Sequence, residues 1–165
     1  MTKLRQASSQ DRHEIGMLIE KAFGGSAEAI LTAQLVKDGD AILELVAEQD
    51  SRLVGHILFS RLHVATDRTS YPAVALAPLS VTPEYQKQGI GGMLIREGHA
   101  LLEQQGETLS VVLGDPAYYG RFGYEHAAAA GFESTYQCDA LQALRWGQGA
   151  PQAGRLVYAS AFEAL

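Results

Sequence analysis

The stretch LSVTPEYQKQGIGG, residues 79–92, decides the fold of this 165-residue chain. Leu79 and Val81 close an apolar run that begins at Tyr71, and Pro83 interrupts it. Gln86–Gly92 then opens a helix that runs to about Gln105. On a helical wheel Ile90, Leu94, Gly98, Leu101 and Leu102 share one face, with Arg96, His99 and Glu103 opposite. Gly98 on the apolar face costs about 1 kcal/mol in helix propensity relative to alanine, which is tolerable where a helix approaches a sheet closely. Gly106 stops the helix, and Thr108–Leu113 reads as a short apolar strand. Strand, glycine-rich loop, helix and strand make a βαβ-like crossover, so Tyr71–Val81 and Thr108–Leu113 should run parallel.

Upstream, residues 2–6 suit an edge strand. Ser8 or Ser9 can cap a helix through Ile15, Leu18, Ile19 and Ala22, which Gly24-Gly25 ends. Ser26 can cap a second helix that closes at Asp38-Gly39. Ile42–Glu48 and Leu53–Val64 are strand-like runs joined at Gln49-Asp50-Ser51, and with Tyr71–Val81 they make an antiparallel meander. Downstream, Ala117–Phe122 suits a short helix ending at Gly123, with Asp115 as its cap. Ala140–Trp146 and Leu156–Tyr158 are further strand candidates within residues 140–158. The expected fold is a mixed α/β domain spanning residues 1–165, with a twisted, mostly antiparallel sheet and one splayed parallel pair.

Composition narrows the function. The net charge is -6 with no basic run, which opposes nucleic-acid binding, where clustered cations displace counterions. One cysteine, Cys138, excludes an internal disulfide and a cysteine-cluster zinc site. His126 has no neighbouring ligand set, so no metal is expected. The polar N-terminus and the lack of a roughly 20-residue apolar run leave no expected membrane partner, and the chain is expected to be cytoplasmic.

The glycine loop admits two readings. Free N–H groups at a helix start carry partial positive charge and hold anions; a tight turn needs glycines too. Among phosphate motifs, the nucleotide P-loop requires Lys-Ser/Thr after its last glycine, and Met93-Leu94 stands there. The dinucleotide fingerprint requires a third glycine at set spacing, which GIGGML lacks.

LSVTPEYQKQGIGGMLI resembles the coenzyme-binding motif of the GCN5-related N-acetyltransferases, Gln/Arg-x-x-Gly-x-Gly/Ala, in which Gln86, Gly89 and Gly91 take the fixed places. GDPAYYGRFGYE, residues 114–125, resembles that family's tyrosine segment: Tyr119 stands four before Gly123, and Tyr124 follows it. The wording is most similar to the bacterial YhbS-like subgroup. The likeness spans roughly Leu43–Tyr124 and is carried by these two motifs. It implies acetyl-CoA as donor substrate, Leu79 and Val81 against the pantetheine arm, and Lys87, Gln88, Gly89, Ile90, Gly91 and Gly92 around the pyrophosphate. Many relatives carry an asparagine on the strand before the tyrosine; here it reads Ser110-Val111-Val112-Leu113.

The likeness implies an N-acetyltransferase acting on a small-molecule or protein amine, with a homodimer left open; a non-catalytic acyl-CoA-binding module is the alternative. Tyr119 is the candidate proton donor to the leaving thiolate, with Tyr118 its competitor, because helix neighbours point about 100° apart. An oxyanion donor is expected from a backbone N–H near Leu79–Val81, where Pro78 marks a bulge or splay. Glu44, Glu48, His56, His63 and Glu84 are unranked candidates for the base, beside a water relay. Arg121 reads as an exposed helix-end arginine.

Overall fold

The computed structural model describes residues 1–165. Strand β1 (Lys3–Gln6) leads to helix α1 (Arg12–Phe23), and α2 (Ala27–Lys37) follows. Gly24 ends α1 at φ 74°, its N–H on the Glu20 carbonyl, a left-handed geometry that glycine reaches without Cβ strain. Ser8 caps less directly than expected. A 3₁₀ turn, Ser9–Asp11, intervenes before α1, and the Ser8 N–H donates to Asp11 Oδ2 at 2.7 Å. Arg5 grips the same carboxylate with two bonds of 2.8 and 2.9 Å, which ties β1 to the start of α1.

Strands β2 (Ala41–Gln49), β3 (Arg52–Ala65) and β4 (Ser70–Val81) form the antiparallel meander. The turn between β2 and β3 places Asp50 and Ser51 at positive φ. Helix α3 (Ile90–Gln104) then crosses to β5 (Leu109–Leu113), parallel to β4. Helix α4 (Pro116–Tyr119) continues as a 3₁₀ turn to Phe122 and stops at Gly123, φ 98°. Strands β6 (Phe132–Glu133), β7 (Leu141–Arg145) and β8 (Gly154–Val157) complete one eight-stranded sheet of order β1-β2-β3-β4-β5-β7. The two last strands do not pair with each other: β7 joins β5, while β8 pairs with β6 and with His63–Ala65 of β3.

Each sheet face carries its own core. On one side Leu45, Ile57, Phe59 and Leu76 meet Ile90, Leu94 and Leu102 of α3. A Cβ at Gly98 would lie 2.7 Å from a Phe59 ring carbon, so the close approach of helix and sheet is what that position requires. On the other side Leu58 packs with Leu31 and Leu35 of α2, and Val46 with Ile15 and Ile19 of α1.

Two departures from regularity shape the middle of the sheet. Ile57 and Phe59 of β3 face Leu79 and Leu76 of β4, so β4 carries one extra residue there, a bulge at Ala77-Pro78. Proline has no N–H to give the ladder, and bulges are among the few places a strand accommodates it. The pairing of β4 with β5 consists of Val74 with Ser110 and Ala75 with Val111. Beyond Ala75 the strands part, and Leu76–Val81 has no strand partner on that side.

His99 corrects the helical-wheel reading. Its ring lies 6.1 Å from that of Phe59 and 5.3 Å from those of Tyr124 and Trp146, and its Nε2 meets the Tyr124 hydroxyl at 2.9 Å. That hydroxyl is also 2.7 Å from Ser110 Oγ, so the strand position near which relatives carry asparagine serves an internal network here. Burial lowers the His99 pKa from 6.5 to about 4. The folded state therefore favours neutral imidazole, and between those values only the unfolded chain takes up the proton. Stability is expected to be full above pH 6.5 and to fall on acidification toward about pH 4. Denaturant titrations at about pH 7 and about pH 5 should show this loss, and His99→Gln should flatten the slope.

Candidate active site

The loop after β4 is folded back on the strand end. A 3₁₀ turn, Pro83–Tyr85, follows Thr82, and Gln86 Nε2 donates to the Val81 carbonyl at 2.9 Å. Lys87 sits at φ 65° and Gly89 at φ 85°. A left-handed lysine costs on the order of 1 kcal/mol and survives where its surroundings hold it. Gly89 precedes α3, and its carbonyl accepts from the Met93 N–H at 3.0 Å. The leading N–H groups of Ile90, Gly91 and Gly92 have no intrahelical acceptor.

These donors face a cavity of about 600 Å³. Leu79 and Val81 form its strand wall, and Tyr85, Gln86, Lys87 and Gly89 the loop wall. Ile90, Gly91, Gly92 and Arg96 contribute from α3, and Tyr118, Arg121 and Phe122 close the far side. Of the loop and strand residues named from sequence, only Gln88 is absent from the lining; its Nε2 reaches back to the Glu84 carbonyl at 3.4 Å. A Cβ at Gly91 would lie 2.6 Å from the Tyr118 hydroxyl oxygen, so the bare backbone leaves room exactly where that hydroxyl overhangs the helix start.

The charged residues of this cavity are Lys87, Arg96 and Arg121, all cationic, in a chain of net charge -6. None is paired with a carboxylate. Aromatic faces hold the arginines instead: Arg96 lies 4.9 Å from the Phe122 ring, and Arg121 4.8 Å from the Tyr118 ring. Arg121 is thus exposed, as its sequence position suggests, but it borders the cavity. Sequence reading passed over Arg96 because the wheel records only that it avoids the core, not that it rises beside the first turn.

A second cavity, of about 320 Å³, lies on the α2 side of the sheet. Leu79 lines both, so they abut at the parted strands. The adjacent tyrosines divide between them. Tyr118 lines the first and Tyr119 the second, with their rings 5.0 Å apart at 89°. A Cβ on Gly114 would fall 2.5 Å from a Tyr119 ring carbon, so that glycine seats the ring. Burial, helped by Tyr118, pushes the Tyr119 pKa up to about 12, so at neutral pH its hydroxyl keeps its proton. Burial also raises the Tyr118 pKa, against the opposing pull of Arg121 and Arg96.

The candidate bases lie elsewhere. Glu44 accepts from Arg12 Nη2 and meets His56 Nε2 at 2.7 Å. Burial pushes its carboxyl up, but His56 and Arg12 outweigh that and hold it below its ordinary value. Glu48 pairs with Arg5 at 2.6 Å, Glu84 with Lys21 at 2.6 Å, and His63 is exposed on β3. None of them lines either cavity, whereas Glu28 lines the second. The signal for Glu28 is local: it precedes Leu31 by three and Leu35 by seven, which puts a carboxylate beside the buried stripe of α2. Asp115 caps α4 as expected, accepting from the Ala117 N–H at 2.9 Å. No group of three or more His, Cys, Asp or Glu is placed to hold a metal ion, Cys138 is exposed, and no helix is long and apolar enough to cross a membrane.

A parallel pair opened beyond a bulge, with a cationic amide-lined cavity at the opening, is the arrangement that the resemblance to the GCN5-related N-acetyltransferases leads one to expect. The chain belongs to the GNAT acetyltransferase family: the model of the acetyltransferase (GNAT) domain matches residues 3–127. Among relatives, the uncharacterized N-acetyltransferase YjhQ of Escherichia coli K12 is 41% identical over 129 residues, covering 76% of this chain and 71% of that protein. The uncharacterized N-acetyltransferase YhbS of the same strain is 39% identical over 119 residues, covering 72% and 70%. The crystal structure of E. coli YhbS in complex with CoA superposes with TM-score 0.89 at 32% identity, covering 98% of this chain and 92% of that one. A GNAT family acetyltransferase from Brucella melitensis in complex with acetyl-CoA gives TM-score 0.83 at 34% identity, covering 98% of both chains.

Proposed function

We propose that the chain is an N-acetyltransferase that transfers the acetyl group of acetyl-CoA directly to an amine, with the pyrophosphate over the N-terminus of α3 and the thioester at Leu79. The observation that carries this reading is the unpaired strand end Leu76–Val81 leading into a cavity whose charged residues are all cations. The first-turn amides with Lys87, Arg96 and Arg121 suit the coenzyme's phosphates. The open edge of β4 suits the amides of the pantetheine arm, in the manner of an added strand. Two structural relatives are complexes with CoA and with acetyl-CoA, which supports a coenzyme A ligand.

Acetyl-CoA supplies an activated carbonyl with a thiolate leaving group. The protein's part is to bind it, orient it and manage protons. The amine must be neutral when its nitrogen attacks the carbonyl carbon, so one proton passes from its ammonium to solvent. As the new C–N bond forms and the C–S bond breaks, Tyr119 donates its hydroxyl proton to the departing sulfur. The excess proton on nitrogen then restores the tyrosine. A free backbone N–H on the open edge of β4 near Leu79–Val81 serves the developing oxyanion. The reading places the reaction in the cytoplasm, where acyl-CoA is supplied.

Thermal unfolding with acetyl-CoA and with CoA tests the binding half. A ligand at 100 times its Kd stabilises the folded state by about 2.7 kcal/mol, and no shift with either compound would end the proposal. Free-thiol release over a panel of amines tests transfer; coenzyme binding without release for any amine would favour a non-catalytic acyl-CoA-binding module.

A further inference from the structure

We propose that the second cavity selects a primary amine borne on a compact apolar or aromatic body, and that Glu28 is the specificity-determining carboxylate that holds its ammonium. This rests on the N-acetyltransferase reading and names the acceptor class for it. The cavity walls are aromatic and aliphatic, with Phe23, Tyr136, Tyr158 and Phe162 joined by Ala77 and Leu79. Glu28 is the one charged side chain among its lining residues. It is half-buried in the first turn of α2, and no Lys, Arg or His of the chain pairs with it.

A partly buried carboxylate on an apolar wall is costly unless a cation or donor meets it. The substrate's ammonium supplies that cation on binding, and tyrosine faces add to its attraction. It passes one proton to solvent before its nitrogen attacks. The remaining wall then fits an apolar body. At about 30 Å³ per water-sized group, 320 Å³ holds on the order of ten non-hydrogen atoms. A polyamine would place its second and third charges against a wall with no further side-chain carboxylate. A peptide would bury its flanking amides against a wall whose polar side chains are Glu28 and tyrosines. An extended acyl chain would gain from the apolar wall but would bury Glu28 without a partner. Tyr119 lines the same cavity, so an amine held there lies on the side from which the thioester at Leu79 is reached.

The test is thiol release from acetyl-CoA by the wild-type protein with 2-phenylethylamine and hexylamine, set against spermidine and a lysine-containing peptide. The apolar amines are expected to give the higher kcat/KM by at least about tenfold. In Glu28→Gln the KM for 2-phenylethylamine should rise by about tenfold, with the loss in KM rather than kcat. Titration calorimetry should show 2-phenylethylamine binding to the CoA-loaded wild type and weakened binding to loaded Glu28→Gln, with CoA affinity held. Preference for spermidine or the peptide, a preference for hexanoyl-CoA over acetyl-CoA, or an unchanged KM in Glu28→Gln would overturn the inference. If CoA binds and polar amines are acetylated, the acceptor class alone is wrong. If CoA does not bind, or no amine releases thiol, the acetyltransferase reading itself fails.

Discussion

Tyr119→Phe is expected to lower kcat by about 100- to 10,000-fold, the range over which a positioned proton donor contributes, while CoA affinity changes little. The substitution removes one hydroxyl and keeps the ring that Gly114 and Tyr118 seat, so the fold should hold. Its pKa of about 12 means that the hydroxyl is protonated when the thioester binds. Burial disfavours the phenolate, so the hydroxyl keeps its proton through the neutral range. With a thiol's reference pKa of about 8.5 the thiolate is the weaker base, and the transfer is drawn forward by the excess proton on nitrogen, which restores the tyrosine. On the alkaline limb, ionisation of Tyr119 should cost no activity until pH approaches about 12. Thiol release gives kcat and calorimetry gives CoA affinity. A wild-type rate in Tyr119→Phe would remove the residue from this role, and Tyr118→Phe, whose hydroxyl borders the other cavity, should lose far less.

Gly91→Glu is expected to abolish coenzyme binding without unfolding the protein. The position lies in the first turn of α3 with no left-handed φ, so a side chain is compatible with the backbone there. Replacing glycine relieves about 1 kcal/mol of helix-propensity cost. The space is another matter: a Cβ already meets the Tyr118 hydroxyl at 2.6 Å, and the rest of the glutamate must enter the cavity. Its carboxylate would then stand among amides and cations disposed for anions. Two like charges about 4 Å apart cost about 4 kcal/mol at an effective dielectric constant near 20, equivalent to about a thousandfold in Kd. Calorimetry with CoA checks this, with Gly91→Ala as the milder case in which only the Tyr118 hydroxyl must shift. Retained affinity in Gly91→Glu would contradict the placement of the phosphates.

What could be read from sequence was what is local. The amide cradle occupies seven consecutive positions, Gln86–Gly92, and needs only the turn from strand to helix to exist. The tight helix–sheet contact showed itself as a glycine, Gly98, on an apolar stripe, because a missing side chain is visible where its neighbour Phe59 is not. What escaped depends on distant segments meeting. Arg96 and Arg121 reach one cavity from α3 and from the turn after α4, and each is held by an aromatic ring rather than a sequence neighbour. His99 looked solvent-facing because Tyr124 and Trp146, which cover it, arrive 25 or more residues later. Charged residues on strands drew attention as bases, yet Glu44 and Glu48 are occupied by Arg12 and Arg5. Glu28, which has no such partner, gives no sign of itself in the sequence beyond its place on α2.

The parting of β4 from β5 leaves an edge strand in the interior of a sheet, and edges are ordinarily a hazard, since an unpaired row of N–H and C=O groups templates another chain. Here the row is six residues long, Leu76–Val81, and it ends in a notch that closes at Ala75. Phe122 and Tyr118 stand on one side of the notch and Phe23 and Leu31 on the other. An incoming β-strand projects side chains alternately to both faces, and both faces are walled. A chain whose amides are joined by bare methylenes meets no such obstacle, and the β-alanyl-cysteamine arm of pantetheine is a chain of that kind. Walls that shape the proposed coenzyme site would thus also guard against aggregation, admitting the backbone chemistry of a strand while refusing a protein that brings it.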